Sequence, residues 1–336
     1  MNQRCPALAA FGLCGCAGVQ NALGGQGAEG ANFISLFTTF MVICTLVYLL
    51  VIAALFLALW RPRGTEGGLT VDDRRHHETS AVVRPALIGW SAIVFIGLTV
   101  LTIASFLTDR SNAAAGSNPQ LSLTVTANQW WWEVEYHSPD ASRTLRTANE
   151  IHLPVGVPVQ VTLKSSDVIH SLWIPNLAGK QDLIPGRITD LELRPLKTGL
   201  FRAQCAEFCG LQHSKMALDV TVESKEDFRR WYDAQLKPAR APTAPLQLAG
   251  YRYVTGRECS GCHNITGTPA TGQVAPDLTH FAARRSIAAG TLPMNRVNLA
   301  AWIADPQAPK PGNNMPRMNM SAAEVDAVVA YLESLK

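Results

Sequence analysis

Two long apolar runs near the N-terminus constrain the fold of this chain more than any other feature of its sequence. Residues 33–60 and residues 85–108 contain no charged side chain. A helix needs about 20 apolar residues to cross the hydrocarbon core of a bilayer, so both runs predict membrane-spanning helices. A buried core helix is the alternative, but uncharged runs of this length disfavour it. Only 16% of the 336 residues are charged, which fits a chain that lies partly in lipid.

The loop between the two runs predicts how the chain is oriented. It carries the arginines Arg61, Arg63, Arg74, Arg75 and Arg84. By the positive-inside rule such a loop is cytoplasmic, which places the N-terminus and everything after Asp109 outside. We therefore expect a transmembrane hairpin over 17–110 that passes twice through a bacterial inner membrane, with the larger part of the chain on the periplasmic side.

The first residues are typical of a secretory signal. Arg4 supplies the positive end of a leader over 1–16, and a short apolar run follows it. Residues 13–16 resemble a bacterial lipobox, which predicts Cys16 as a lipidated residue. An ordinary leader, cleaved nearby or retained, is the alternative. The glycine-rich residues 24–30 predict a flexible stretch.

The domain predicted over 117–236 has a different pattern, with short strands from 121 to about 223 and a short helix over 226–237. Residues 121–126, 157–163 and 218–222 alternate apolar and polar side chains with a period of two. Short alternating strands with proline and glycine turns predict an all-β sandwich or barrel. The Pro- and Ala-rich residues 237–245 then predict a semi-rigid, extended linker.

A loop in this β region concentrates metal-binding side chains. Cys205, Cys209, His213 and Met216 lie within one short segment. Thiolates and imidazoles suit copper, zinc or iron–sulfur chemistry. A structural zinc site uses four Cys or His ligands, so the thioether disfavours zinc. A disulfide between the two cysteines is the alternative in an oxidising compartment.

The second cysteine indicates more than one copper ion. A mononuclear blue-copper site uses one Cys, two His and a weak Met, and this loop has one Cys too many. Two thiolates that bridge two copper ions account for both cysteines. Each copper then needs a further His, and His170 is the candidate for the second.

The C-terminal residues 246–336 contain a haem-attachment signature. Cys259, Cys262 and His263 form Cys-x-x-Cys-His, in which the thiols bond the porphyrin and the His is an axial ligand. A redox-active dithiol is the alternative. A Met as second axial ligand raises the haem potential, and Met294, Met315, Met318 and Met320 all follow His263. Residues 310–316 resemble the ligand loop of small cytochromes c, which implies Met315. Ser321 and Glu324 predict a capping box for a closing helix.

Together these motifs resemble subunit II of the haem-copper cytochrome c oxidases, in the form that carries a fused cytochrome c. Residues 167–171, 180–182 and 184–187 also resemble family segments in the family order. The resemblance implies a multidomain chain: a two-helix transmembrane hairpin, an all-β cupredoxin-like sandwich and an all-α cytochrome c domain. It implies a binuclear copper (CuA) centre held by His170, Cys205, Cys209, His213, Met216 and the backbone carbonyl of Glu207.

The resemblance also implies an electron path. Cytochrome c reduces the c-type haem, the haem reduces the copper pair, and the copper pair reduces subunit I, where oxygen becomes water. Trp130 occupies the position of an aromatic residue at which electrons enter the copper centre, whereas Trp131 and Trp132 are expected to pack. The side chain of Glu207, assisted by Asp182, is expected to face a magnesium ion at the subunit boundary.

Other functions remain open from the sequence. The electron-entry subunit of a CuA-containing nitric oxide reductase and a membrane-tethered electron carrier share these features. The copper ligands exclude a quinol oxidase subunit, and the membrane hairpin disfavours the soluble nitrous oxide reductase. The net charge of +3, without a basic run that contains aromatics, gives no indication of nucleic-acid binding. Relatives often carry a glutamate just before the second membrane helix, where this chain has Val82 and Val83, so no proton-entry role is assigned.

Overall fold

The computed structural model describes residues 18–60, 73–115 and 119–336, and for 73–82 and 113–115 it describes the backbone alone. The predictions for the leader, for Cys16 and for the first arginines of the cytoplasmic loop lie outside the described residues. The described residues form two compact units. One comprises 32–60 and 73–115, and the other comprises 18–31 together with 119–336.

Two helices follow the apolar runs. Helix α1 spans Ala28–Trp60 and α2 spans Asp73–Ala115. Both are long and apolar enough to cross a membrane, and their large apolar side chains are exposed. Asn32 Nδ2 donates to Asn112 Oδ1 at 2.6 Å and joins the helices. The second helix begins well before Pro85, the first residue of the apolar run. Its first turns are polar, and hydropathy alone does not reveal them.

The next domain is a sandwich of two five-stranded sheets. Its strands are β1 (Leu121–Asn128), β2 (Trp131–His137), β3 (Leu145–Ala148), β4 (Glu150–Pro154), β5 (Val159–Ser165), β6 (His170–Trp173), β7 (Lys180–Leu183), β8 (Thr189–Leu193), β9 (Gly199–Cys205) and β10 (Ala217–Glu223). One sheet has the order β3-β2-β1-β5-β8 and the other β4-β10-β9-β6-β7. Helix α3 (Lys225–Gln235) follows β10. The prediction of an all-β, cupredoxin-like sandwich is confirmed.

Alternation along the strands builds the core between the sheets. Leu123, Val125 and Ala127 of β1 are fully buried, while the residues between them are partly exposed. Successive side chains of a strand point to opposite faces, so the period-two pattern turns one face inward. In β2 the same alternation buries Trp132 completely and leaves Trp131 half-buried.

The N-terminal glycine-rich segment packs against the sandwich and is not the flexible stretch that its composition predicts. Gln26 N donates to Asn176 O at 2.9 Å, and Leu196 N donates to Gln26 O at 2.7 Å. A Cβ atom at Gly27 would lie 2.1 Å from Leu177 O. The absence of a side chain at this position therefore permits a close backbone approach.

The C-terminal domain is helical. Its helices are α4 (Pro245–Gly256), α5 (Cys259–Cys262), α6 (Arg296–Ala304) and α7 (Ala322–Leu332), with a small hairpin of β11 (Ser286–Ile287) and β12 (Leu292–Pro293). The predicted capping box of Ser321 and Glu324 begins α7, so that prediction is confirmed. Helix α4 crosses α7 at Gly250, where a Cβ would lie 2.0 Å from Ala327 O.

The segment between the two domains has no helix or strand from 236 to 244. Its first residues are attached to the C-terminal domain, because His280 Nε2 bonds Lys237 O at 2.9 Å and Ala239 N donates to Thr266 O at 2.9 Å. Most of 237–245 is exposed, as expected of a linker.

The crossing of α4 and α7 gives a testable prediction. Gly250→Ala places a methyl group against the backbone of α7, and overpacking of this kind costs about 1–3 kcal/mol. We expect faster hydrogen exchange of the amides of α4 and α7 in the purified full chain. Gly256→Ala is the matched control, because nothing lies within 4 Å of a Cβ at that position in the same helix. Equal exchange in the two variants would contradict this account of the crossing.

Candidate metal centre and haem site

Sheet register brings the upstream His to the cysteine loop. His170 begins β6 and Cys205 ends β9. These strands are antiparallel neighbours in which Leu172 lies opposite Cys205. Residues 206–216 then leave the sheet and return to it at β10. Because β6 and β9 are neighbouring strands, His170 and Cys205 lie at the same end of the sheet although they are distant in sequence.

The donor atoms of the predicted copper ligands form one group. The Sγ atoms of Cys205 and Cys209 are 3.7 Å apart. Cys205 Sγ lies 3.8 Å from Nδ1 of His170, and Cys209 Sγ lies 3.6 Å from Nδ1 of His213. The remaining predicted donors are equally close, with Met216 Sδ 3.8 Å from Cys209 Sγ and Glu207 O 3.3 Å from Cys205 Sγ. Each sulfur thus has one imidazole beside it.

The two cysteines are free thiols in this structure. A disulfide requires an S–S distance of about 2.05 Å, far below the 3.7 Å between these sulfur atoms. Both cysteines and His170 are buried, and their donor atoms lie within 4.8 Å of one another. This arrangement fits metal binding, because thiolates and imidazoles that converge in a buried site are ligands for a soft or borderline metal.

The pKa values of the two cysteine thiols are shifted in opposite directions. The hydrogen bond with Cys209 lowers the pKa of the Cys205 thiol to about 3, with help from His170. The same bond, together with burial, raises the pKa of Cys209. A thiolate is the form that binds metal, so these contacts favour the ligating form of Cys205.

Asp167 orients the upstream imidazole. Its Oδ1 lies 2.8 Å from His170 Nε2, while the other ring nitrogen faces Cys205. Asp167 also accepts hydrogen bonds from Gln129 N at 2.6 Å and from Val168 N at 2.7 Å. A carboxylate on the far nitrogen of a ligating His fixes the tautomer and the ring orientation. Sequence reasoning assigned no role to Asp167, although its position three residues before His170 was the available signal.

Trp130 contacts the cysteine loop directly. Its Nε1 donates to Cys209 O at 2.8 Å, and Gln129 Nε2 donates to the same carbonyl at 2.7 Å. Trp130 is nearly buried, with 9% of its surface exposed. The neighbouring Trp132 lies in the sandwich core and makes an edge contact with the ring of His170. Of the three tryptophans, Trp130 is the one whose indole N–H reaches the cysteine loop.

The two residues predicted to bind magnesium lie near the same sheet edge. Glu207 Oε2 is 3.8 Å from Lys180 Nζ. Asp182 is in β7, opposite Ser171 of β6, and its backbone carbonyl accepts a hydrogen bond from Thr189. Among the described residues, the one detected group of at least three potential metal-binding side chains includes neither Glu207 nor Asp182. Magnesium binding stays a prediction.

The haem-attachment residues lie on and just after a single helical turn. Cys259 and Cys262 are free thiols at the two ends of α5, and His263 N donates to Cys259 O at 2.9 Å. His263 Nδ1 lies 2.7 Å from Pro276 O, which leaves Nε2 available for a metal. Burial lowers the pKa of His263 and favours the neutral imidazole, the ligating form. These features fit a covalently attached haem.

Burial does not distinguish between the methionines that are candidates for the sixth haem ligand. Met294, Met315 and Met320 all pack against the apolar core of the C-terminal domain. Met315 lies in a braced loop, because Gln307 Nε2 donates to Met315 O at 2.8 Å and Met315 N donates to Asn313 Oδ1 at 2.8 Å. Met315 as the sixth ligand stays a prediction.

Each of the two domains outside the membrane hairpin matches a known protein family. Residues 138–224 match the family model for the periplasmic domain of cytochrome c oxidase subunit II, and residues 248–336 match the model for cytochrome c. Family membership of this kind implies copper in the sandwich and haem in the helical domain. The fold and the two sites thus define a membrane-anchored redox protein with a cupredoxin-like domain and a cytochrome c domain.

Similarity to curated relatives extends over almost the whole chain. Cytochrome c oxidase subunit 2 of Alkalihalophilus pseudofirmus is 30% identical over 96% of this chain and 94% of its own length. The same subunit of Bacillus sp. (strain PS3) is 32% identical over 74% of this chain and 73% of its own length. The solved periplasmic domain of subunit II of cytochrome oxidase (CoxB) from Bradyrhizobium japonicum is 28% identical, covers 36% of this chain and 96% of that chain, and has a TM-score of 0.34.

The chain belongs to the cytochrome c oxidase subunit 2 family. It is therefore one subunit of an oxidoreductase complex, and it associates with other oxidase subunits.

The orienting role of Asp167 predicts a loss of copper affinity in Asp167→Asn. An amide offers one oxygen acceptor in place of two, and loss of such an orienting group costs about 10–100-fold in metal affinity. We expect that decrease when the full chain competes with a chelator for copper. Asp190→Asn, at an exposed position in β8, should bind copper like the unaltered chain. Unchanged affinity in Asp167→Asn would show that the sheet alone orients His170.

Proposed function

We propose that this chain relays electrons within a terminal cytochrome c oxidase, from cytochrome c to subunit I of the complex. The observation that carries the proposal is the convergence of two thiols, two imidazoles and a thioether at one edge of the sandwich, next to Trp130. When bound, a c-type haem and a binuclear copper centre would each accept and donate one electron at a time.

The proposed copper ligands are His170, Cys205, Cys209, His213, Met216 and the carbonyl of Glu207. The proximity of the two thiol sulfurs, 3.7 Å apart, supports the proposal, because both would hold the copper pair as thiolates. The imidazoles of His170 and His213, one beside each sulfur, would supply the nitrogen ligands of the copper pair.

The backbone keeps these ligands in place. Cys205 N donates to Met216 O at 3.0 Å and joins the two ends of the loop. Ala206 N donates to Ser171 O at 2.9 Å and attaches the start of the loop to β6. These hydrogen bonds fix both ends of the ligand loop to the sheet, and such rigid positioning would favour rapid electron transfer.

For the haem, we propose covalent attachment through Cys259 and Cys262, with His263 and Met315 as axial ligands. Trp130 is the proposed entry point to the copper centre, supported by its hydrogen bond to Cys209 O. Both domains would lie on the outer side of a bacterial inner membrane, where cytochrome c is the donor. A magnesium ion at Glu207 and Asp182 would lie at the boundary with subunit I.

Family membership favours this function over the nitric oxide reductase subunit and the membrane-tethered carrier. Co-purification distinguishes the three. A large haem-copper subunit that accompanies the chain and consumes oxygen supports the oxidase. A partner that reduces nitric oxide, or the lack of any stable partner, would overturn it.

The paired thiolates give the most direct test. Cys205→Ser and Cys209→Ser should each abolish the mixed-valence copper signal in paramagnetic resonance, because two copper ions need both bridging sulfurs. The c-type haem spectrum should persist, since the haem would belong to a separate domain. Cys44→Ser, in α1, is the control and should keep both signals. A mixed-valence signal in either loop variant would contradict the binuclear assignment.

The choice of Met315 is tested by a methionine series. Met315→Leu should remove the weak sulfur-to-iron absorption band and lower the haem potential, since a Met ligand raises that potential. Met294→Leu, Met318→Leu and Met320→Leu should leave the band in place. Loss of the band in one of these three, with the band retained in Met315→Leu, would assign the ligand to that methionine.

A further inference from the structure

A loop of the cytochrome c domain lies on the copper-binding domain. We call residues 309–315 the Met315 loop. Gln212 Nε2 donates to Pro311 O at 2.6 Å, and Lys215 Nζ donates to Pro309 O at 2.6 Å. Both donors are in the metal-binding loop of the sandwich and both acceptors are in the Met315 loop, so the two loops are in direct contact.

Between these two contacts, Lys310 is buried at the interface. Only 2% of its surface is exposed. Its Nζ donates to Trp130 O at 2.7 Å, to Lys215 O at 2.8 Å and to Ala288 O at 2.9 Å. The first two carbonyls belong to the copper-binding domain and the third to the cytochrome c domain. One amino group therefore joins three backbone segments from two domains.

Burial of a lysine needs a reason, because lysine is almost never fully buried unless its amino group is paired. Burial lowers the pKa of Lys310 to about 7, and the charge of the nearby Lys215 acts in the same direction. The ammonium group has three N–H donors and the neutral amine has two. The ammonium form of Lys310 can donate to all three carbonyls of this interface, and the neutral amine to two of them.

The same loop approaches the ring of Trp130 at Gly312. Gly312 has a φ of +78°, which favours glycine. A Cβ at this residue would lie 3.1 Å from Leu211 Cδ2 and 4.0 Å from Trp130 Cη2. The loop thus approaches the indole from one side, while Lys310 holds the backbone carbonyl of Trp130 from the same loop.

We propose that Lys310 is a positioning residue that fixes the Met315 loop against Trp130 and so sets the distance between the haem and the copper centre. This role rests on the proposed electron relay. Trp130 contacts both loops: its backbone carbonyl accepts from Lys310, and its indole N–H donates to Cys209 O. A displacement of the Met315 loop would therefore change the separation between the haem ligand loop and the copper ligand loop.

Other contacts hold the two domains together without Lys310. Arg284 Nε lies 3.6 Å from Glu150 Oε1 in a buried ion pair, and Ala217 N donates to Ala289 O at 3.0 Å. Loss of the Lys310 amino group should therefore loosen the Met315 loop while the domains stay in contact. This distinguishes positioning by Lys310 from simple attachment of one domain to the other.

The test compares Lys310→Met with Lys225→Met in the full chain, assembled with its partner subunits and loaded with haem and copper. Lys225 is exposed at the start of α3. A photoexcitable ruthenium compound injects one electron into the haem, and transfer to copper is followed optically. We expect Lys310→Met to slow this transfer severalfold, because the rate of electron tunnelling falls as the distance between donor and acceptor grows. The haem and copper spectra and the transfer rate of Lys225→Met should be unchanged.

Hydrogen exchange supplies a second measurement that does not depend on electron transfer. Amides of residues 309–315 should exchange faster in Lys310→Met than in Lys225→Met. If Lys310→Met does not fold, Lys215→Met, which removes the bond to Pro309 O, should show the same changes. Unaltered exchange in the loop would overturn the proposal, even with slower transfer. Absence of haem-to-copper transfer in the unaltered chain would instead refute the proposed relay, and loop exchange would still report on Lys310.

Discussion

The pairing of β6 with β9 is the interaction on which the metal site depends. It places His170, at the start of one strand, beside Cys205, at the end of the other. Ala206 N continues the pairing by donating to Ser171 O, and Asp167 holds the far side of the imidazole. The donor atoms of His170 and Cys205 converge because hydrogen-bonded strands place them there, and the loop that follows Cys205 brings in the remaining donors.

The second organising contact connects the two redox domains through Trp130. Its indole N–H donates to the carbonyl of Cys209, and its own carbonyl accepts from Lys310 of the cytochrome c domain. Only 9% of its surface is exposed. In the proposed relay, the entry point to the copper centre therefore lies beneath the chain's own haem domain. A soluble donor would act on that haem domain.

Much of the architecture was predictable from local patterns, because period-two strands, uncharged helices and a capping box depend on neighbouring residues. The exceptions have physical reasons. The residues around Gly27 have the composition of a flexible segment, yet they pair with the backbone near Leu177 because the absence of side chains allows close approach. Helix α2 begins before Pro85 because helical hydrogen bonding does not depend on side-chain hydropathy. Asp167 lies in a segment that resembles the family, but its orienting role becomes visible only once its carboxylate is seen against the ring of His170.

The sequence by itself determined the chemistry of this protein: two thiols, an imidazole and a thioether in one loop, a haem-attachment motif, and two runs suited to lipid. Residue type and spacing suffice there, because donor atoms and apolar length are local properties. Only the tertiary structure decided which surfaces of the copper-binding domain and the cytochrome c domain are in contact. Lys310 lies 180 residues from Trp130, and no local pattern predicts that a lysine will be buried against three carbonyls. Its burial is possible only because the folded domains supply acceptors for its N–H groups.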